Sequence, residues 1–129
     1  MNENKVILIS VDGMRPDGFL ACGNPYIEKM MESAYYTLDG KSVLPSVTLP
    51  CHMSLFHSVA PERHGITTNL YLPMARPINE DTTIPMFYFG KEFEAGKHFS
   101  GGSILDIAPT IAKIMDVEPA DEWEGAPVI

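Results

Sequence analysis

The sequence predicts an α/β domain with a mostly parallel central sheet. Val6-Ile7-Leu8-Ile9-Ser10-Val11 is a short, β-branched and nearly unbroken apolar run, the pattern of a parallel strand covered on both faces. Ile84-Pro85-Met86-Phe87-Tyr88-Phe89-Gly90 is a second strand pattern, with Pro85 pushed towards its beginning. Between and after these runs lie segments with helical spacing and helix-start signals.

Taken in order, the first strand ends in Asp12-Gly13. Chemistry in open α/β sheets gathers at the carboxyl ends of strands, so Asp12 stands where a functional group would sit; the same pair also serves as a plain turn. Pro25 to Ser33 reads as a helix, with Pro25 in its first turn, Ile27 apolar and Met30 and Met31 as core filling. Tyr35-Tyr36-Thr37-Leu38 and Lys41-Ser42-Val43-Leu44 flank Asp39-Gly40, a two-residue hairpin signal. A helix follows Pro50 and runs to about Val59, Pro61 ends it, and Glu62-Arg63-His64-Gly65 reads as a loop.

Phe93 to Gly102 is a glycine-punctuated connection. Ser103-Ile104-Leu105-Asp106 has the spacing of a capping box, with Asp in place of Glu or Gln. The helix behind it places Ile107, Ile111, Ile114 and Met115 on one face, with Pro109 in its first turn. Pro119 to Ile129 reads as an acidic loop anchored by Trp123. Residues 71–82 contain two prolines and no clear period, and read as a linker inside a single domain of two parts, 1–70 and 83–129.

Composition bounds the partners. The chain has 129 residues, 45% of them apolar, enough for one domain with a core. A formal net charge of −8 argues against nucleic acid or an acidic membrane as partner, since both favour a basic face. It leaves a small anionic substrate open, because a bound cation inverts the local field. Cys22 and Cys51 have no disulfide-framework or zinc-finger spacing and read as reduced thiols. The apolar run behind the polar start covers only Val6 to Ile9, too short for a signal-peptide core or a membrane span. A soluble, cytoplasmic protein is the expectation.

Thr48 lies two residues before Pro50, at or just before a helix N-cap. Helix starts present free N–H groups and the positive end of a dipole, which attract a phosphate or sulfate group. A threonine hydroxyl does not ionise unaided; a divalent cation acting as a Lewis acid removes that obstacle, and Asp12 is the natural first ligand for it. The plainer account of Thr48 is an ordinary N-cap, worth ~1 kcal/mol. His52, His57, His64 and His98 show no i, i+4 ligand pair and read as hydrogen-bonded structural residues. No Walker, dinucleotide, H-E-x-x-H or nucleophile-elbow motif is present.

Three blocks carry more. Ile9-Ser10-Val11-Asp12-Gly13-Met14-Arg15-Pro16-Asp17, Pro45-Ser46-Val47-Thr48-Leu49-Pro50-Cys51-His52 and Pro61-Glu62-Arg63-His64-Gly65-Ile66-Thr67-Thr68-Asn69 together resemble the type I phosphodiesterase/nucleotide pyrophosphatase family, part of the alkaline phosphatase superfamily. The blocks fall in the family's order. Thr83 to Gly90 and Ser103 to Ala112 resemble the superfamily's C-terminal strand and helix. The resemblance implies an alkaline-phosphatase-like three-layer sandwich, here truncated. It implies hydrolysis of phosphodiester or nucleotide pyrophosphate-type substrates, small anionic phosphate esters, with two zinc ions. By position it makes Asp12 a metal ligand, Thr48 both nucleophile and metal ligand, and Asn69 the donor to a non-bridging substrate oxygen.

Two departures stand out. The family's Pro-Asn-His is Pro50-Cys51-His52 here, and the family's central region is replaced by the short stretch from Asn69 to Asp81, without its Asp and His ligands. Pro77-Ile78-Asn79-Glu80-Asp81 carries no histidine where the family pattern places its last ligand, and Glu80 and Asp81 read as an acidic linker. A catalytic zinc takes about three protein ligands, and only Asp12 and Thr48 are supplied. Three readings follow: an impaired hydrolase retaining one corner of its site, a non-catalytic remnant that binds an anion or one metal or self-associates into a homo-oligomer through uncovered apolar faces, or a chain whose missing ligands come from a partner.

Overall fold

The computed structural model describes residues 4–69 and 83–129. The linker at 71–82, with Glu80 and Asp81, lies outside the described residues. In chain order the elements are α1 (Pro16–Ala21), α2 (Tyr26–Ser33), β1 (Tyr35–Lys41), α3 (Thr48–His57), α4 (Pro61–His64), β2 (Thr83–Tyr88), a 3-10 turn (Ile104–Asp106) and α5 (Ile107–Met115).

Helices and strands are both present, but the described residues do not form the expected parallel sheet. Among the described residues the sheet has two strands, β1 and β2, paired antiparallel from Tyr35 opposite Tyr88 to Lys41 opposite Thr83. Parallel pairing is confined to two isolated bridges, Tyr36 with His98 and Lys41 with Ser103. The Val6–Val11 run forms no strand; Ile7 is 86% and Ile9 78% exposed. A central parallel strand needs neighbours at both edges and cover on both faces, and no described segment supplies them. For the same reason the described residues assemble no three-layer sandwich.

Asp39-Gly40 does not make a hairpin. β1 continues through it with a bulge, three residue steps on β1 (Thr37 to Gly40) matching two on β2 (Met86 to Ile84). Pro85 lies opposite the bulge, where its missing N–H costs no ladder bond. Asp39 is occupied instead as an acceptor, from Ser100 Oγ (2.6 Å), Thr37 Oγ1 (2.5 Å) and Gly101 N (2.8 Å). These bonds hold its carboxyl well below the usual carboxylate range. A carboxyl depressed in the folded state stabilises above its unfolded value, near about pH 4, and that contribution is lost as pH falls through the folded value. Urea midpoints measured across the acid range are expected to show a shallower fall below about pH 4 for Asp39→Asn than for the wild type.

Side chains alternate across the sheet. One face stacks Tyr35 on Phe99 (ring centroids 4.5 Å) and Tyr88 on Phe93 (5.2 Å). The other stacks Tyr36 on Phe87 (5.6 Å) and brings Phe19 of α1 to Phe87 (5.1 Å). The local sequence missed α1 altogether; Pro16 at its first position starts it. α2 begins at Tyr26 with Pro25 as its N-cap, one place before the first turn where Pro25 was expected, and Met30 and Met31 are half-buried rather than core.

The second half packs around α3. The capping box at Ser103 and Asp106 is fully formed: Leu105 N–H donates to Ser103 Oγ (3.2 Å) and Ser103 N–H to Asp106 Oδ2 (2.8 Å). α5 buries Pro109, Thr110 and Ala112. The face expected inward, Ile107, Ile111, Ile114 and Met115, is half-buried, because the described residues add no further layer over it. Much of this interior is hydroxyl: Ser54 and Ser58 are 0% and Thr110 2% exposed. Such groups are tolerable only when bonded, and each is. Ser58 Oγ donates to Leu105 O (2.7 Å), and Thr110 Oγ1 to Asp106 O (2.6 Å).

The tail is a strap. Glu124 N–H donates to Ser58 O (2.6 Å), Gly125 N–H to Ser58 Oγ (3.0 Å), Ala126 N–H to Asp106 Oδ1 (2.9 Å) and Val128 N–H to Thr110 Oγ1 (3.1 Å). Arg63 reaches it through Glu122 O and Glu124 Oε1, both at 2.9 Å. Trp123, the expected anchor, is half-buried.

Candidate active site

The first turn of α3 organises the site. Val47, the residue before it, is extended (φ −127°, ψ 158°) and has a hydrocarbon side chain that caps nothing. Thr48 is the first helical residue, one place further in than an N-cap, so its hydroxyl is not spent on the helix. It donates instead to Asp12 Oδ2 at 2.9 Å, across 36 residues of chain. Pro50 falls in the first turn, where its lack of an N–H matters least.

The cap comes from far away. Leu49 N–H donates to the Asn69 side-chain oxygen at 2.6 Å, satisfying one of the orphan donors that every helix start leaves. With Oδ1 so engaged, the Asn69 amide nitrogen remains the donor half of that side chain. The structure thus brings Asp12, Thr48 and Asn69 together, as the sequence pattern predicts, and all three are exposed. The corner is open to solvent and carries one carboxylate; no lysine or arginine pairs with Asp12 among the described residues.

The histidines divide by role. His52 Nδ1 lies 2.7 Å from Thr48 O; a carbonyl only accepts, so the proton is on Nδ1. His64 bonds Ser54 Oγ (3.0 Å) and accepts from Ile66 N–H (3.1 Å). His98 stands edge-on to Tyr36, with ring centroids 5.3 Å apart. His57 closes the last turn of α3, a favourable end for its ring. The loop expected at Glu62–His64 is the short helix α4, started by Pro61. Cys22 and Cys51 are free, with Cys51 Sγ 3.1 Å from Ser42 Oγ.

Asp12 and Thr48 present oxygen atoms of the kind that hard or borderline cations take as ligands. Among the described residues, no three His, Cys, Asp or Glu side chains gather as a metal-binding group. Against the three protein ligands of a catalytic zinc, the described residues do not complete one centre, let alone two.

Residues 6–104 match the pattern of the type I phosphodiesterase / nucleotide pyrophosphatase family, and the chain belongs to that family. Ectonucleotide pyrophosphatase/phosphodiesterase family member 1 of Rattus norvegicus is 28% identical to it over 127 residues, covering 86% of this chain and 14% of that protein. The Mus musculus counterpart matches equally, 28% over 127 residues. A 2,3-bisphosphoglycerate-independent phosphoglycerate mutase of Clostridioides difficile (strain 630) is 39% identical over 46 residues, 36% of this chain and 9% of that protein. The chain therefore spans 14% of the length of the rodent relatives. No solved structure is a significant match.

Proposed function

We propose that the chain contributes the Asp12, Thr48 and Asn69 corner of a hydrolase acting on phosphodiester or nucleotide pyrophosphate-type substrates. The observation that carries this reading is the Thr48 Oγ1 to Asp12 Oδ2 hydrogen bond at 2.9 Å, with Asn69 held at the next residue of the helix. In the reaction, the Thr48 oxygen forms a bond to phosphorus, the bond to the leaving alcohol or phosphate breaks, and water later releases Thr48. Asp12 is the acceptor placed for the hydroxyl proton, and the Asn69 amide nitrogen is the donor for a non-bridging oxygen. Asp12 and Thr48 would hold a divalent cation, zinc by family resemblance, which would supply the Lewis acidity that a threonine hydroxyl requires; its other ligands would have to lie outside the described residues. The three-layer architecture belongs to the same reading: Val6–Val11 becomes a central strand once neighbouring strands are supplied.

The test is hydrolysis of a chromogenic phosphodiester with added zinc or manganese, alongside metal content per chain. Turnover that rises with added metal supports the reading. Less than one ion bound per chain and no rate above a Thr48→Ala control overturns it.

A second reading, a binding or self-associating remnant, is favoured by the exposed Val6–Val11 run. It predicts no turnover and a molar mass by light scattering that rises with concentration.

A further inference from the structure

We propose that His64 is a positioning residue that holds Asn69 over the first turn of α3. Its imidazole grips two things at once. Ile66 N–H donates to Nδ1 at 3.1 Å, so Nδ1 is an acceptor and the ring proton is on Nε2. Nε2–H therefore donates to Ser54 Oγ at 3.0 Å, a hydroxyl that is 0% exposed inside α3. The loop that leaves α4 is thus fastened to the middle of α3 through His64, and to the start of α3 through Asn69 and Leu49 N–H.

The spacing leaves little slack. Leu49 and Ser54 are separated by a helical rise of about 7.5 Å. Three residue steps, through Thr67 and Thr68, lead from Ile66 to Asn69 and reach at most about 10 Å when extended. Gly65, left-handed at φ 74° with its N–H on Pro61 O (2.9 Å), reverses the chain between the two anchorages. With the His64 anchorage removed, the loop regains conformational freedom that must be lost again whenever Asn69 caps Leu49.

The inference rests on the preceding functional reading only for what Asn69 then does to a substrate; the placement of Asn69 is tested without turnover. Hydrogen–deuterium exchange at the Leu49 amide, read by NMR, is expected to speed up about 10-fold in His64→Ala, a loss of order 1.4 kcal/mol in protection. Asn69→Ala is expected to match it, while amides of α5 stay protected. His64→Asn, which keeps an acceptor within reach of Ile66 N–H, is expected to restore part of the protection. The nitrogen shifts of His64 should report the Nε2–H form. Unchanged Leu49 exchange in His64→Ala, or a His64 proton on Nδ1, overturns the proposal. If His64→Ala also loosens α5, the isosteric Ser54→Ala decides: faster Leu49 exchange with α5 intact upholds the proposal, and unchanged exchange overturns it. A wild type without phosphodiester turnover counts against the hydrolase reading alone.

Discussion

Replacing Thr48 by alanine is expected to lower kcat/KM for a chromogenic phosphodiester by about 10³-fold or more, roughly 4 kcal/mol of transition-state stabilisation, while barely changing stability. The two halves of that expectation have different causes. Among the described residues Thr48 is the hydroxyl bonded to Asp12, so its loss removes the attacking atom that the proposed reaction requires. Its side chain is exposed and does not cap α3. What folding loses is a solvent-exposed hydrogen bond, worth about 0.5–1.5 kcal/mol, part of which alanine's better helix propensity returns. Turnover by Thr48→Ala within 10-fold of the wild type, at unchanged urea midpoint, would remove Thr48 from the nucleophile role.

Gly125→Ala carries the largest expected cost in stability. A methyl group at Gly125 would overlap the carbonyl of Leu105 and approach Asp106 N to 2.8 Å. These are backbone atoms of the capped turn at Ser103–Asp106, not a flexible side chain that can swing away. Relief requires the tail to lift, and the tail N–H groups of Gly125 and Val128 donate to the Ser58 and Thr110 hydroxyls. Ser58 is held in a left-handed conformation (φ 53°) with its carbonyl and hydroxyl both taken by tail N–H groups. A destabilisation of at least about 2 kcal/mol is expected, read as a lower urea midpoint with loss of Trp123 fluorescence change on unfolding. A variant as stable as the wild type would show that the strap does not sit where the structure places it.

The parts of the fold legible in the sequence were those set by local chemistry. Ser103 and Asp106 announced a capping box, and it is formed. Pro25 marked the start of a helix, whereas Pro61, read as the end of one with a loop behind it, starts α4. Non-local pairing was not legible. Asp39-Gly40 has the composition of a hairpin turn, but Ser100 and Gly101, about sixty residues away, take the Asp39 carboxylate and turn the site into a bulge. Val6–Val11 has the composition of a buried strand, yet a strand is a relation between segments, and its partners are not among the described residues. The candidate site shows the same division. Asp12, Thr48 and Asn69 were readable from a family resemblance in three ordered blocks, and the hydrogen bonds join them. That Asn69, rather than Thr48 itself, caps α3 was not readable, since a cap supplied from 20 residues downstream leaves no local signal.

The most direct measurement of the central claim is covalent trapping at Thr48. The wild type, supplied with zinc and a phosphodiester substrate, is quenched in acid during turnover and its peptides are weighed by mass spectrometry. The account predicts a substrate-derived phosphoryl adduct on Thr48, absent when Thr48→Ala is treated in the same way. Turnover with no adduct on Thr48, or an adduct on another residue at equal yield in both proteins, would contradict it.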